Sequence, residues 1–345
     1  MIRNISFSDA LSEGLVQAMD KDISIFVTGI GVDYASGVFG TTKDAFKKFG
    51  KARVFESPAM ENAITGICIG AAASGSRPLL VHYRNDFLLL SLDQLMNLAA
   101  KWNYMYGGNA PAVPVVIRAI IGRGWGQGAT HSQSLQSVLA HFPGVAVVMP
   151  TFPEDAKGLL LSAFESKSPV VLLEHRSLFD LQGNVPLEPT KTPIGKAKVI
   201  RQGADVTIVA CSIMVLEALS AAKYLSNFGI DVEVIDLISI RPLDELTILN
   251  SVIKTGRLLV ADTSWVRFGV TSEVTAMVTE KAFSYLKCSP VRIGLPDCPA
   301  PVTKVLEDKF YPNALDIIDA VRKMLNRNDI DIDFKPAEDT FKGPY

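Results

Sequence analysis

Continuous apolar strands alternate with helices along most of this chain, and this alternation is the feature that most restricts its fold. Segments such as ISIFVTG, PAVPVVIRAII and PVVLLEH are apolar on both faces, whereas the helices between them carry one apolar face. Strands of this kind belong to parallel sheets that are covered by helices on each side. The sequence therefore predicts an α/β protein with mostly parallel sheets.

The alternation is interrupted around residues 180–195, which hold three prolines and no periodicity. We interpret residues 186–195 as a linker between a first domain over 1–185 and a smaller α/β domain over 196–326. A chain of 345 residues is long enough to bury two such cores. The polar residues 327–345 carry no core pattern, which predicts a tail that is either disordered or laid across a partner.

Charge and composition exclude several classes of function. The formal net charge is −2, and no basic cluster occurs, so neither nucleic acid nor an anionic membrane is an expected partner. The N-terminal segment lacks the apolar core of a signal peptide, and no apolar run is long enough to cross a bilayer. The four cysteines have no metal-ligand spacing and are predicted to be reduced thiols. We expect a cytoplasmic protein.

The segment Glu56–Gly75 predicts a helix, from Ala59 onward, whose surface is almost entirely small or apolar. Glu61 is its carboxylate, placed in the first turn. A carboxylate there can simply complement the positive end of the helix dipole. It can also be held in an apolar, close-packed setting in which its protonation is coupled to a ligand. These residues alone leave both interpretations open.

Further candidates are a histidine and two aromatic residues. His131 follows a glycine-dense loop and is predicted to lie at the N-terminal edge of a helix over 131–143. It could transfer protons near neutral pH or merely cap its helix. Tyr83 and Phe87 could stack on a ligand ring or pack in the core. The sequence contains no Walker-type loop, paired carboxylates or Cys/His cluster, so no metal site is predicted in this chain.

Several long segments together resemble one known family. They are FGTTKDAFKKFGKARVFESPAMENAITGICIGAAASGSRP, DQLMNLAAKWNYMYGG, HSQSLQSVLAHFPGVAVVMP, DLISIRPLDE and PAPVTKVLED. These segments closely resemble the β subunit of thiamine-diphosphate-dependent 2-oxo acid dehydrogenases, the decarboxylating component, within the transketolase superfamily. The resemblance extends from residue 5 to about residue 325. It implies a pyrimidine-binding domain followed by a transketolase-like C-terminal domain.

The resemblance also implies roles for individual residues. Glu61 matches the catalytic glutamate that activates thiamine diphosphate through a hydrogen bond to its aminopyrimidine ring. Phe87 matches the aromatic residue on which this ring stacks, and Tyr83 matches a position that lines it. His131 matches the catalytic histidine that guides proton or acyl transfer. The expected cofactor-binding residues are therefore Glu61, Tyr83 and Phe87.

In that family the diphosphate and Mg²⁺ are held by an α subunit through a GDG motif, which this sequence lacks. The resemblance thus implies an α2β2 heteromer with sites between the subunits, and a lone chain without activity. A lipoyl-bearing acyltransferase would be a further partner, and a small 2-oxo acid would be the substrate.

The sequence departs from the family pattern at several positions. Ile30 stands where relatives carry an acid, and the segment VHYRND, residues 81–86, places His82, Arg84, Asn85 and Asp86 beside the expected pocket. Such groups suit a polar or phosphorylated substrate. Ser166 and Ser168 replace the Asp and Asn that relatives use near a potassium ion, so we do not predict that ion. The turn DTSWVRFG also differs from that of relatives.

These departures keep an alternative function open. A split transketolase-like or sugar-modifying carboligase would use the same cofactor to transfer a two-carbon or acyl unit to a carbonyl acceptor. An inactive homologue that serves as a scaffold is a third hypothesis, which the presence of Glu61, Phe87 and His131 disfavours.

Overall fold

The computed structural model of this chain describes residues 1–110, 112–123 and 126–335. The backbone divides into two compact units. The first comprises Met1–Ile121, Val138–Ile194 and Ile240–Pro242, and the second comprises Gly122–Ser137, Gly195–Ser239 and the chain from Leu243 onward. The division expected from the sequence follows the linear order of the chain, whereas residues 122–137 group here with the second unit.

The described residues form fourteen strands and twelve α-helices. The strands are β1 (Ile2–Ser6), β2 (Ile25–Gly29), β3 (Val54–Glu56), β4 (Arg77–His82), β5 (Val116–Ile121), β6 (Ala146–Val148), β7 (Val170–His175), β8 (Gln182–Pro186), β9 (Lys198–Arg201), β10 (Val206–Ala210), β11 (Val232–Asp236), β12 (Ser239–Arg241), β13 (Leu258–Trp265) and β14 (Val291–Leu295). The helices are α1 (Phe7–Lys21), α2 (Lys43–Phe49), α3 (Glu61–Ala73), α4 (Asn85–Leu88), α5 (Ala100–Met105), α6 (Gln136–Ala140), α7 (Pro153–Glu165), α8 (Ile213–Ser226), α9 (Glu245–Thr255), α10 (Val270–Ala282), α11 (Lys304–Phe310) and α12 (Ala314–Met324).

A seven-stranded sheet in the order β12-β6-β7-β5-β4-β2-β3 is central to the first unit. The pairings from β3 through β6 are parallel, and strands β5 and β7 are buried along their whole length. The expected fold class, α/β with mostly parallel sheets, is therefore confirmed. From β2 the chain passes to β3 on one side and then crosses to β4 on the other. This reversal makes the carboxyl ends of β2 and β4 a topological switch point, where α/β proteins bind ligands.

The second unit contains a five-stranded sheet in the order β14-β13-β10-β11-β9. Its pairings are parallel except that between β9 and β11. The closing helix α12 begins with a capping box, in which Asn313 accepts from Leu315 N while Asp316 accepts from the Asn313 backbone. The predicted alternation of strands and helices in this part of the chain is confirmed.

The residue pattern from Leu88 to Tyr106, followed by Gly107 and Gly108 as a helix stop, predicts one long helix, and this prediction is wrong in its interior. Between α4 and α5 the chain forms a 3₁₀ turn, Leu89–Ser91, and a π-helical segment, Asp93–Ala99. The irregular backbone brings Ser91 Oγ to 3.0 Å from the Glu61 carbonyl. A tertiary contact of this kind is not encoded in local periodicity.

Two regions expected to be irregular are ordered by tertiary contacts. Strand β8 pairs antiparallel with β1, within the stretch after residue 180 that showed no periodicity. The first part of the C-terminal tail packs on α8, where the Tyr224 ring lies 5.3 Å from that of Phe334 and Ile330 is buried. The tail prediction is thus wrong for this part, because its contacts are with its own unit. Residues 336–345 lie outside the described part of the chain.

Charged groups buried in the first unit are paired. Arg118 on β5 donates from Nε and Nη2 to the two carboxylate oxygens of Glu174 on β7, and both side chains are 1% exposed. On α7, the Lys157 ammonium donates to Glu13 at 2.6 Å and to backbone carbonyls that follow β8. Pairing of this kind offsets the large cost of removing a charge from water.

Two further expectations concern the reduced state of the cysteines and the lack of a membrane-spanning segment. All four cysteines are free, with Cys68 and Cys211 buried, Cys288 partly buried and Cys298 exposed. Burial raises the pKa of the Cys68 thiol to about 12. Within the described residues, every helix is too short or too polar to span a bilayer.

Candidate active site

A cavity of about 280 Å³ opens at the switch point of the first unit. Its walls come from the residues that follow β2, β3 and β4 and from the first turn of α3. The lining residues are Ile30, Ser57, Pro58, Ala59, Glu61, Ile64, Leu80, Val81, His82, Tyr83, Arg84 and Phe87. Glu61, Tyr83 and Phe87, which the sequence analysis predicted to bind one ligand, therefore share a single cavity.

Close approach of two strands shapes the floor of this cavity. Gly29, the last residue of β2, pairs with Val81 of β4 and has a φ angle of +144°. A Cβ atom at this position would lie 2.3 Å from the Val81 carbonyl oxygen. Glycine is therefore required here, because any side chain would separate the strands.

The backbone of Glu61 is held by two hydroxyl groups. Its carbonyl accepts from Thr65 Oγ1 at 2.7 Å and from Ser91 Oγ at 3.0 Å, and both hydroxyl-bearing residues are fully buried. Glu61 itself is partly buried and is the first residue of α3. The helix N-terminus favours a negative charge at this position. The backbone that carries the carboxylate is thus fixed at the cavity wall by the fold of its own unit.

The two aromatic residues of the cavity differ in exposure. Phe87 is 37% exposed, so one part of its ring is available to a ligand. Tyr83 is partly buried and packs on Phe39 at a centroid distance of 5.3 Å. Phe39 has a φ angle of +49°, unusual for a bulky residue, and the Arg176 guanidinium lies over its ring, 4.8 Å from the ring centre. Burial raises the pKa of the Tyr83 phenol, which keeps it neutral near pH 7.

Ile30 lines the cavity at the position where an acid was expected. A different carboxylate, that of Glu56 at the end of β3, approaches the same loop. It accepts from Tyr34 Oη at 2.9 Å and from the Gly31 backbone at 3.4 Å. Sequence reasoning missed Glu56, although its position at the carboxyl end of a strand next to β2 was a usable signal.

His82 is fully buried in the cavity wall. Its Nε2 atom has no hydrogen-bond partner among the described residues, and burial lowers the pKa of the imidazole to about 4. The ring is therefore neutral at physiological pH. The Nε2 atom can therefore either donate or accept a hydrogen bond with a ligand, depending on which ring nitrogen carries the proton.

Acidification should reveal the burial of His82. The unfolded chain binds a proton at this histidine below its ordinary pKa of about 6.5, whereas the folded chain binds it only near pH 4. The free energy of unfolding should fall as pH decreases through this interval, by about 3 kcal/mol in total. Urea unfolding of the wild type and of His82→Phe at several pH values would measure the difference. The His82→Phe variant should lose less stability on acidification.

An exposed histidine provides the control for this measurement. His141→Gln should follow the wild-type pH dependence, because it removes a solvent-exposed histidine and leaves the buried His82 in place. Equal losses of stability in wild type and His82→Phe would contradict the assignment.

His131 belongs to the second unit. The predicted helix over 131–143 begins only at Gln136, so His131 lies in the preceding loop and does not cap a helix. Its Nδ1 atom is 3.0 Å from Thr130 Oγ1. The end of the loop is anchored by the buried Gln136 amide, which donates to Asp262 Oδ1 at 2.7 Å. This long-range hydrogen bond explains why the helix begins later than the local pattern predicts.

The small-residue surface of α3 does not line the cavity. Only Glu61 and Ile64 of this helix do so, whereas Ala63, Ile67 and Gly70 are exposed. The apolar, close-packed setting that the sequence allowed for Glu61 is therefore not supplied by this surface. The opposite face of α3 packs on the sheet.

No group of three or more His, Cys, Asp or Glu side chains in the described part of the chain could hold a metal ion. Ser166 and Ser168 form a local turn after α7, in which Ser166 Oγ donates to the Ser168 carbonyl at 2.8 Å. One part of the cavity, where the Glu61 carboxylate lies with the rings of Tyr83 and Phe87 and the apolar Ile30 and Ile64, instead fits a flat heteroaromatic ring.

Two family models match the chain over most of its length. The pyrimidine-binding domain of transketolase matches residues 3–182, and the C-terminal domain of transketolase matches residues 195–317. The residues of the Glu61 cavity and His131 all lie within residues 3–182, the region matched by the first of these models.

Known relatives match the chain over more than nine tenths of its length. It is 39% identical over 335 residues to the β subunit of acetoin:2,6-dichlorophenolindophenol oxidoreductase from Cupriavidus necator, covering 94% of this chain and 98% of that one. It is 39% identical over 327 residues to the mitochondrial pyruvate dehydrogenase E1 component subunit beta of Bos taurus, covering 93% and 91%. Among solved structures, a split-gene transketolase described as an inactive β4 tetramer is similar, with a TM-score of 0.75, 25% identity and coverage of 93% and 98%.

Proposed function

The chain belongs to the transketolase-related family that includes the β subunits of pyruvate dehydrogenase, and on this basis we propose that it is the β subunit of a thiamine-diphosphate-dependent 2-oxo acid dehydrogenase. The observation that carries the proposal is the meeting of Glu61, Tyr83 and Phe87 in one cavity at the switch point. In this proposal the enzyme works in the cytoplasm, a compartment in which its free cysteines stay reduced.

The cavity would hold the aminopyrimidine ring of the cofactor. Phe87 offers a partly exposed face for stacking, and Tyr83 closes the cavity beside it. The Glu61 carboxyl group would bond to a ring nitrogen and hold or release the proton there. When bound, thiamine diphosphate supplies a nucleophilic carbon and accepts the electron pair released by decarboxylation. The apolar walls formed by Ile30 and Ile64 would exclude water.

We assign the diphosphate and Mg²⁺ to an α subunit carrying a GDG motif, in an α2β2 assembly. Exposed apolar side chains support a partner. Met60 before α3 and Ile67 within it are exposed, and so is Leu90, whose carbonyl accepts from Asn62 at 3.2 Å. On the second unit, Phe268 is 95% exposed, and Val305 of α11 is also exposed. Exposed apolar surface is typical of interfaces.

His131 would act after decarboxylation, as a group that guides proton or acyl transfer. Its loop position, its partial exposure and the nearby hydroxyl of Thr130 suit a side chain that contacts a substrate. We propose a lipoyl group on an acyltransferase as the acceptor. The alternative, transfer to a carbonyl acceptor in a carboligase, is favoured by the polar residues His82 and Arg84 in the cavity wall.

The decisive experiment is to co-express this chain with its α partner and to assay the complex with thiamine diphosphate and Mg²⁺. A panel of 2-oxo acids and acetoin would be tested with an artificial electron acceptor, with lipoamide and with added aldehydes. Turnover by the complex, but not by the chain alone, is expected. Lipoamide-dependent acyl transfer supports the dehydrogenase, and product formation only with an added aldehyde would replace it with the carboligase. Turnover by the isolated chain would contradict the divided site.

A further inference from the structure

The wall of the Glu61 cavity contains an arginine that the proposed reaction does not use. Arg84 follows β4, lines the cavity and is only 6% exposed. A second arginine, Arg176, follows β7 and is 2% exposed. The two guanidinium groups are close enough for Arg84 to help lower the pKa of Arg176, which burial and this repulsion bring to about 10. Two like charges are thus held near each other at one edge of the sheet.

The charged side chains around the cavity differ in their positions. Among the lining residues, Arg84 carries a positive charge and Glu61 a negative charge. Glu61 is assigned to the cofactor ring in the proposed function. The nearby buried Arg118 is engaged with Glu174 through two nitrogens of its fork. Arg176 adds a second positive charge close to that of Arg84.

Packing holds this positive charge in place. The Arg176 guanidinium lies 4.8 Å from the centre of the Phe39 ring, and the same ring contacts Tyr83 and Phe179. An arginine stacked on an aromatic face keeps its plane fixed, so little conformational freedom is lost when it meets an anion. The cluster is therefore organised before any ligand binds.

His82 adds a neutral donor or acceptor to the same wall. It is buried and lines the cavity, and its Nε2 atom lacks a hydrogen-bond partner among the described residues. A buried polar atom of this kind is stabilised by a ligand that bonds to it. An arginine and an imidazole side by side form a donor set suited to the oxygen atoms of phosphate or carboxylate.

We propose that the substrate carries a second anionic group, a phosphate or a carboxylate, which binds to Arg84 beside His82, with Arg176 adding positive charge from behind. This inference rests on the proposed function and extends it to the class of substrate. The anion should be one that does not react. Binding the carboxylate that leaves would stabilise the ground state, whereas binding energy from an unreactive group can be used to position the keto carbon.

The test uses the complex of this chain with its α partner. Steady-state kinetics would compare 2-oxo acids with a short aliphatic side chain, with a terminal carboxylate and with a terminal phosphate. In the wild type we expect the anionic substrates to have the higher kcat/KM. Arg84→Gln should lower kcat/KM for the anionic substrates by roughly 10–100-fold, mainly through KM, and should leave the aliphatic substrates within about twofold. Arg84→Lys, which keeps the charge, should recover part of this loss.

A binding measurement keeps this inference separate from the proposed function. Calorimetric titration of the complex with inorganic phosphate and with glutarate needs no turnover. The anion that binds more tightly identifies the class of group, phosphate or carboxylate. Arg84→Gln should weaken that binding by about tenfold or more, whereas the exposed Arg292→Gln should not change it. The inference would be overturned if neither phosphate nor glutarate binds to the complex. It would also be overturned if Arg84→Gln lowers kcat/KM equally for anionic and aliphatic substrates. A complex that binds the probe but decarboxylates no 2-oxo acid would overturn the proposed function alone.

Discussion

Glu61→Gln is expected to lower kcat of the assembled complex by roughly 10²–10⁴-fold, the range typical of a lost general acid or base. The amide keeps the size and hydrogen-bonding capacity of the side chain, but it cannot take up or release the proton that the cofactor ring requires. Substrate turnover should be measured by release of CO₂ and by reduction of an artificial acceptor. The dissociation constant for thiamine diphosphate should be measured in parallel by quenching of tryptophan fluorescence.

A matched change elsewhere in the first unit provides the control. Glu165 is exposed and pairs with Lys21 and Lys191 on the surface, so Glu165→Gln alters the same functional group without affecting the cavity. Exposed ion pairs of this kind contribute about 0–1 kcal/mol, and activity should remain close to that of the wild type. If the Glu61→Gln complex binds the cofactor and retains more than about a tenth of wild-type activity, Glu61 has no role in proton transfer.

The second large effect concerns stability. Arg118→Met should lower the free energy of unfolding by about 3–5 kcal/mol, because it leaves the Glu174 carboxylate buried without its partner. The two side chains are each 1% exposed, and the Arg118 Nη2–Glu174 Oε2 distance is 2.7 Å. Urea or thermal unfolding of the purified protein would measure the loss. In a unit of this size the melting temperature should decrease by about 10 °C.

The double variant distinguishes an ion pair from simple packing. Arg118→Met combined with Glu174→Leu removes both charges and should recover most of the stability lost in the single variant. If the two single losses merely add in the double variant, the pair is not coupled, and the stability would instead depend on the shape of the two side chains.

Much of the fold could be predicted because its strands are buried on both faces. That burial leaves continuous apolar runs, and the order of strands and helices follows from them. The meeting of Glu61, Tyr83 and Phe87 was also predictable, since the residues that follow neighbouring parallel strands lie at one edge of a sheet. Their assignment to a cofactor, and that of His131 to acyl transfer, stays a prediction.

Features that depend on distant contacts could not be predicted from local patterns. Arg176 is far from Arg84 in the sequence, and only the pairing of β4, β5 and β7 brings their regions together. The late start of α6 depends on the Gln136–Asp262 hydrogen bond, and the order of the tail depends on Tyr224. In each case a side chain separated by many residues changes the backbone conformation that local propensity favours.

The two hydroxyl groups that hold the Glu61 carbonyl determine when this part of the site becomes ordered. These hydroxyls, of Thr65 and Ser91, also contact each other at 2.8 Å, and both residues belong to the same chain as Glu61. The conformational entropy of this backbone segment is therefore lost when the subunit folds, before any partner or cofactor arrives. At this residue, assembly and binding then need to order only the side chain, and this lowers the entropic cost of forming an active complex.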